Sequence, residues 1–488
     1  MRKEMQSGAF WAVVQKWGSR VTGLATLVVL TRTLEPRDFG LVAIAISFTS
    51  LLNVFVDFGA STYVVQAQNL DDETLDATFW ANMAFATLLA LALCGFAPLI
   101  ATGFGLPDLT VVLRLLSVVL VLNALSGVHS ALLRRALRMK GLTIRFFVSN
   151  AVAAAVAVVM AFRGAGVMAL VAQSLVAAAV GVVLVWHTSA WRPGFRASRA
   201  KLREVLTYGA SISGTSLTAQ VEAQGLTFLI GGLLGPVALG YYAITGRLIG
   251  TLLDLTVRTL GAASMPVFAL YRNQGARLAR GYLAAVDLTS ALAGPAAATL
   301  AGTAPTALLV VFGAQWEPAV GLAALYAAIG VLQSFTYFDR PLLLARDRQR
   351  TILAITALDT SVVLLLAWGA TTVGVVGVVA VRGLVLAVTA FIQARAVTRH
   401  SNVLPSELWD VWWRNGLLSA VVGLAAAAST MLTLSAGVSN VASLFASLTF
   451  AGAVWLLLVR WTSPRPWREL RTVLRNIARR SPIARTLA

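Results

Sequence analysis

The sequence is poor in the residues that bind metals or form disulfides, and poor in charge. One cysteine and three histidines occur in 488 residues, so neither a disulfide framework nor a cysteine/histidine metal site is predicted. Charged residues make up 12% of the chain, about half of their usual share in a soluble domain. None of the four lysines lies in a G-x-x-x-x-G-K-[ST] motif, which argues against a nucleotide-driven pump. We therefore expect no metal, no cofactor and little soluble structure.

Apolar runs fill most of the chain. Hydrophobic residues make up 58% of it, the mean hydropathy is +0.79, and apolar runs of roughly 20 residues recur, the length that crosses a bilayer as a helix. This predicts an all-α polytopic membrane protein with about fourteen transmembrane helices. The predicted spans lie near 10–30, 39–62, 79–101, 109–132, 145–162, 166–187, 207–231, 238–260, 282–303, 319–338, 352–370, 374–397, 416–435 and 440–460.

The net charge of +19 comes from basic residues that separate the apolar runs. They do not cluster with aromatic residues on a soluble domain, so nucleic acid is not the predicted partner. When the spans alternate across the membrane, most Lys and Arg fall in the loops of one side. The positive-inside rule then places both termini in the cytoplasm and requires an even number of spans.

The sequence also repeats itself. A shift of 200 residues aligns Leu34, Pro36, Gly40, Ala43 and Ile44 with Leu234, Pro236, Gly240, Ala243 and Ile244. Internal duplication is typical of transporters built from two bundles around a shared central site. The predicted domains are a six-helix bundle (1–190), a cytoplasmic linker (191–206), a second six-helix bundle (207–400), two additional helices (401–460) and a basic cytoplasmic tail (461–488).

Charged residues inside the predicted spans form the candidate site. Lys16 and Arg20 share one face of the first span, and Arg247, Asp254 and Arg258 lie within roughly 40° of one stripe on the eighth. Each charge costs about 2.5–3.5 kcal/mol at a helix centre, so these residues are expected to face protein or a water-filled cavity. The four basic residues predict a cationic site for an anionic substrate such as a diphosphate. The alternative is an ion-pair staple between helices.

The intramembrane acids predict either coupling or pairing. Glu222, between Gln220 and Gln224, is the best candidate for a titrating or ion-coupling group, but it could equally pair with Arg20. Asp57 has the same two interpretations, with pairing to loop arginines favoured.

Two further acids and two further arginines lie toward the ends of their spans. Asp287 and Asp359 are expected to pair with loop arginines, as Asp57 is. Arg114 and Arg382 are expected to extend toward the membrane surface.

Several short motifs carry a resemblance to a known family. They are GAFW at 8–11, LEPRDFGL at 34–41, DFG at 57–59, GYYA at 240–243, Pro266, and FG at 312–313 followed by Trp316. With these motifs the chain resembles, over about residues 5–400, the polysaccharide transporter (Wzx-type) family of the multidrug/oligosaccharidyl-lipid/polysaccharide exporter superfamily. The resemblance implies two six-helix bundles in a V shape plus two C-terminal helices, and it implies that Arg20 and Arg247 contact the diphosphate.

The resemblance implies a flippase rather than an enzyme. Its substrate would be an undecaprenyl-diphosphate-linked oligosaccharide, moved across the inner membrane for extracellular polysaccharide or lipopolysaccharide synthesis. The expected partners are this lipid-linked oligosaccharide, membrane lipids, a polysaccharide polymerase and other assembly components. Two alternatives stay open: a cation-coupled multidrug exporter of the same superfamily, and a membrane glycosyltransferase or polymerase.

Overall fold

The computed structural model describes residues 22–57, 59–67, 70–196, 198–261 and 270–462, together with Gly18 and Phe268. Of residues 60, 66, 206, 208–219, 222 and 258–261 it describes the backbone alone. The regular elements in these ranges are helices, which confirms the predicted all-α class. They are α1 (22–33), α2 (Pro36–Asp57), α3 (Ala60–Gln66), α4 (Asp72–Gly103), α5 (Leu109–Arg135), α6 (Met139–Phe162), α7 (Val167–Thr188), α8 (Arg199–Leu233), α9 (Gly235–Gly261), α10 (Gly275–Gly302), α11 (Ala304–Phe312), α12 (Val320–Thr336), α13 (Asp339–Ala345), α14 (Gln349–Ala370), α15 (Val375–His400), α16 (Pro405–Ser435) and α17 (Asn440–Thr462), with 3-10 turns at Ala314–Ala319 and Thr371–Val373.

Eleven stretches of the described chain are long and apolar enough to cross a membrane, which confirms a multi-pass membrane protein. They coincide with eleven of the predicted spans. Of the other three, the span near 10–30 lies mostly outside the described residues. The remaining two fall on α8 and α9, which are helical but are not among the eleven. The predicted tail from 463 onward lies outside the described residues.

Two helix boundaries show how local chemistry sets the spans. α4 begins at Asp72, several residues before the predicted span, because the Asp71 carboxylate accepts a hydrogen bond from the Thr74 N–H (2.9 Å) and caps the helix. α2 ends at Asp57, although the predicted span continued to 62. Gly59 adopts a φ of +70°, which interrupts the helix before α3 begins.

The chain divides into two compact units, Met1–Ala243 and Ile244–Ala488, called here the first and second unit. The first unit has a cluster around Val64, Phe79 and Val128, with Trp186 and Trp191 packed on it. The second unit has a larger core, which contains Tyr282, Phe338, Leu342, Val397 and Leu408. The domain limits predicted from the sequence stay predictions.

The additional helices α16 and α17 are part of the second unit. α16 packs along α10, and α17 packs along α16. The Trp455 indole N–H of α17 donates to the carbonyl oxygen of Ala291 in α10 at 3.0 Å. These two helices are therefore attached to the second unit by side-chain contacts as well as by the chain.

The two turns aligned by the sequence repeat pack on each other inside the first unit. A Cβ atom at Gly40 would lie 1.8 Å from the carbonyl oxygen of Pro236, and one at Gly240 would lie 1.9 Å from that of Pro36. Both distances are far below van der Waals contact with rigid backbone. Only glycine fits at either position, and the reciprocity agrees with the duplication inferred from the sequence.

Candidate functional site

Two of the predicted site residues are described with their side chains on α9. Arg247 is the thirteenth residue of this 27-residue helix, so it lies near the middle, and its side chain is exposed. Asp254, about two turns further on, is only 4% exposed. The two residues therefore differ in environment: the Arg247 side chain lies at the surface of the protein, whereas Asp254 is buried.

The other predicted basic residues cannot be placed as side chains. Lys16 and Arg20 lie outside the described residues, and Arg258 is described by its backbone alone. Of the four basic residues predicted to form the cationic site, the structure describes the side chain of Arg247. The roles of the other three stay predictions.

A polar seam joins α8 to α2 beside position 222. The Ser47 hydroxyl donates to Gln224 Oε1 at 2.7 Å, and Gln220 Nε2 donates to the Ser50 carbonyl oxygen at 3.4 Å. The two glutamines that flank Glu222 in sequence thus face α2. At about 100° per residue, position 222 lies about 200° from position 220, on the side of α8 away from this seam.

Asp57 contacts a neighbouring serine. Its Oδ1 accepts hydrogen bonds from the Ser61 hydroxyl (2.5 Å) and the Ser61 N–H (3.3 Å). These contacts join the end of α2 to the start of α3 across Gly59. The expected pairing of Asp57 with a loop arginine is not seen in the part of the chain that the structure describes.

Asp287 forms a buried polar cluster between α10 and α16. Its Oδ1 accepts a hydrogen bond from Arg414 Nη2 at 2.7 Å and one from Asn415 Nδ2 at 3.0 Å. Asn415 also donates to the Ser290 hydroxyl at 2.8 Å. The prediction that Asp287 pairs with an arginine is confirmed, although Arg414 lies within α16 rather than in a loop.

Asp359 forms a second intramembrane ion pair, between α14 and α15. Arg382 Nη1 lies 2.8 Å from Asp359 Oδ2, and the Thr389 hydroxyl donates to Oδ1 at 3.0 Å. The expectation that Arg382 extends toward the membrane surface is therefore wrong. Arg382 pairs instead with an acid on the neighbouring helix α14. Asp359 pairs with an arginine as expected, but with one inside a span.

Tyr282 and Asp339 form a buried pair that the sequence does not predict. The Tyr282 hydroxyl donates to Asp339 Oδ1 at 2.6 Å, and both residues are 0% exposed. They are 57 residues apart, and Asp339 stands next to Arg340 in an arginine-rich segment. No local spacing signals such a contact. The hydrogen bond stabilises the packing of α10 against α13.

Comparison with known proteins places these helices in context. A family model described as "Polysaccharide biosynthesis protein" matches residues 29–321. The succinoglycan biosynthesis transport protein ExoT of Rhizobium meliloti (strain 1021) is 28% identical over 322 residues, which are 65% of this chain and 65% of ExoT. The match thus spans somewhat less than two thirds of that relative. The lipopolysaccharide biosynthesis protein WzxC of Escherichia coli (strain K12) is 23% identical over 71% of each chain.

Solved structures share the fold. The lipid II flippase MurJ, in an inward closed conformation, has a TM-score of 0.72 at 11% identity and covers 95% of this chain and 99% of its own. An inward-facing multidrug resistance transporter of the MATE family, in the MOP superfamily, has a TM-score of 0.60 at 16% identity, with 76% and 92% covered. At these identities the similarity concerns the fold alone.

Proposed function

Because the chain belongs to the polysaccharide biosynthesis protein family, we propose that it moves an undecaprenyl-diphosphate-linked oligosaccharide from the cytoplasmic to the outer leaflet of the inner membrane. The family match confirms the resemblance predicted from the motifs at 34–41 and 240–243. A matched relative named as a biosynthesis transport protein supports a transporter of the MOP superfamily rather than an enzyme.

The observation that carries the proposal is the match over residues 29–321. Relatives that match the chain are named for the biosynthesis of three different polymers: succinoglycan, teichuronic acid and lipopolysaccharide. These polymers differ in their sugars. The proposed lipid-linked substrates would share their lipid diphosphate and differ in their glycan. A site that binds phosphate would therefore suit all of them.

For the architecture, we propose fourteen spans, made of two six-helix bundles in a V shape and the two helices α16 and α17. Eleven spans are described, and α1, α8 and α9 would supply the other three. Both termini would then be cytoplasmic, as the distribution of basic residues predicts. Alternate opening of the two bundles would carry the substrate across.

For the site, the proposal assigns the substrate diphosphate to Lys16, Arg20, Arg247 and Arg258. The exposure of Arg247 in the middle of α9 supports this, since a charge there that faced lipid would cost several kcal/mol. A water-filled cavity avoids that cost. The arginine fork can then hold phosphate oxygens through two hydrogen bonds. Position 222, turned away from the α2 seam, is the proposed place for ion coupling through Glu222.

Deletion of the chromosomal copy tests the transport itself. The deletion strain should lose surface polysaccharide and accumulate the lipid-linked oligosaccharide in a form inaccessible to a hydrolase added outside. A plasmid-borne copy should restore both. Loss of polysaccharide without accumulation would indicate a defect in sugar addition and would contradict the proposal. A change in drug resistance with normal polysaccharide would favour the multidrug exporter.

A further inference from the structure

A groove lies where α15 ends and α16 begins, and none of its lining residues is among those assigned to transport. It has a volume of about 240 Å³ and lies within the second unit. The side chains that matter for its chemistry are Phe391, Arg395, Thr398, Leu408, Trp409 and Trp412. Its volume is below the roughly 300 Å³ at which small-molecule pockets begin. Such a groove accommodates a part of an elongated molecule rather than a sugar repeat unit.

The length of α15 and the exposed tryptophans of α16 indicate that the groove lies near the depth of the lipid headgroups. α15 has 26 residues and is therefore about 39 Å long, whereas the hydrocarbon core is about 30 Å thick. Arg395 lies about one and a half turns from the end of α15, so it falls near the headgroup boundary. Trp409 and Trp413 of α16 are 57% and 65% exposed, as is common for tryptophan at a membrane surface.

Two polar groups at this groove have unused bonding capacity. The Arg395 side chain is exposed, and its guanidinium makes no ion pair or hydrogen bond with any residue that the structure describes. The Trp412 Nε1–H is buried and has no acceptor in that same part of the chain. Arg395 is also the only charged residue in the lining. The groove therefore combines an apolar, aromatic wall with an uncompensated positive charge.

We propose that this groove binds one anionic phospholipid. The phosphate lies on the Arg395 guanidinium, next to the Thr398 hydroxyl, and the first part of an acyl chain lies against Phe391, Leu408 and Trp409. Arginine holds phosphate oxygens through two hydrogen bonds, and aromatic side chains pack well on acyl chains. The chain's own tail is a poor occupant, because residues 463–488 contain seven arginines and one glutamate and would be repelled by Arg395.

Lipid titration of the purified full-length chain tests the proposal. Native mass spectrometry would measure the binding of phosphatidylglycerol and of phosphatidylethanolamine to the wild type, Arg395→Ala and Arg399→Ala. Arg399 is one turn further along α15, exposed, and outside the groove, so it is a matched control. We expect Arg395→Ala to weaken phosphatidylglycerol binding about tenfold or more, because a charged hydrogen bond is lost. Arg399→Ala should change it less than about twofold.

Further variants separate the occupants. Trp409→Ala should weaken binding of both lipids, because it removes the acyl-chain wall, and Arg395→Lys should retain part of the preference for phosphatidylglycerol. Truncation after Thr462 should leave that affinity unchanged, and inorganic phosphate alone should not compete. Equal effects of Arg395→Ala and Arg399→Ala, or no preference for the anionic lipid, would overturn the proposal. A severalfold gain in affinity on truncation would instead assign the groove to the tail.

Discussion

Two helix contacts, one in each unit, are made by opposite means. In the first unit, α2 and α9 approach so closely at Gly40 and Gly240 that backbone meets backbone. In the second unit, α10 and α16 are joined by Asn415 and by the Asp287–Arg414 ion pair, whose carboxylate is buried. The first contact depends on missing side chains and the second on long, charged ones. A membrane interior allows both, since close packing and interhelical polar contacts both stabilise helix pairs there.

The difference predicts how each contact fails. Removing one partner of a buried ion pair leaves an uncompensated charge, which is more costly than the loss of a neutral contact. Adding a methyl group to a backbone contact forces the helices apart. The variants that follow are ordered by the expected loss in stability.

The largest loss is expected from Arg414→Ala. Asp287 is 4% exposed and, among the described residues, would keep Asn415 as its one donor, at a cost of about 3–5 kcal/mol. The double variant Asp287→Ala with Arg414→Ala should recover part of this. Unfolding temperature in detergent would measure both. Arg280→Ala, an exposed change on α10, is the control and should stay within about 0.5 kcal/mol. No recovery in the double variant would mean that the pair is not the source of the stability.

Gly40→Ala and Gly240→Ala come next. Each methyl group would meet a proline carbonyl oxygen below 2 Å, so the helices must shift, at about 1–3 kcal/mol. Gly250→Ala on α9 is the matched control, because a Cβ there meets nothing within 4 Å. It should be neutral or stabilising by up to about 1 kcal/mol. Equal behaviour of Gly240→Ala and Gly250→Ala in the unfolding assay would refute the close contact.

Arg382→Ala should cost less than Arg414→Ala. The carboxylate left behind is the less buried of the two: the Asp359 side chain is 10% exposed and keeps the Thr389 hydroxyl, whereas the Asp287 side chain is 6% exposed. We expect a loss of about 2 kcal/mol in the same assay. A loss larger than that of Arg414→Ala would show that burial of the arginine sets the cost, since the Arg382 side chain is 23% exposed and that of Arg414 is 35% exposed.

The smallest loss is expected from Ser47→Ala. It removes a neutral hydrogen bond to Gln224 between α2 and α8, and such bonds in membranes are worth about 0.6 kcal/mol on average. A loss above about 2 kcal/mol would show that the first unit, too, depends on polar contacts. The contrast between the two units would then have to be abandoned.

These contacts also show what a single sequence reveals. The glycine contact could have been predicted from the sequence, because the duplication repeats Pro36 and Gly40 at Pro236 and Gly240. The positions of the helices could also be predicted, because apolar runs of about 20 residues mark the membrane spans. The partners of buried charges could not: Asp287 and Arg414 are 127 residues apart, and no periodicity links them. For the same reason the sequence predicts that Arg382 extends toward the membrane surface, whereas its partner Asp359 lies on the neighbouring helix.

The central claim is that exposed arginine in α9 binds the phosphates of the substrate. The most direct test measures polysaccharide export and protein abundance for Arg247→Ala, Arg247→Lys, and Arg247→Ala combined with Asp254→Ala. The account predicts that Arg247→Ala abolishes export at normal abundance, because in the proposed site Arg247 faces a water-filled cavity and binds the substrate there. It also predicts that lysine restores export only in part and that the double variant stays inactive. Reduced abundance of Arg247→Ala, with export recovered in the double variant, would show an ion-pair staple and contradict the account.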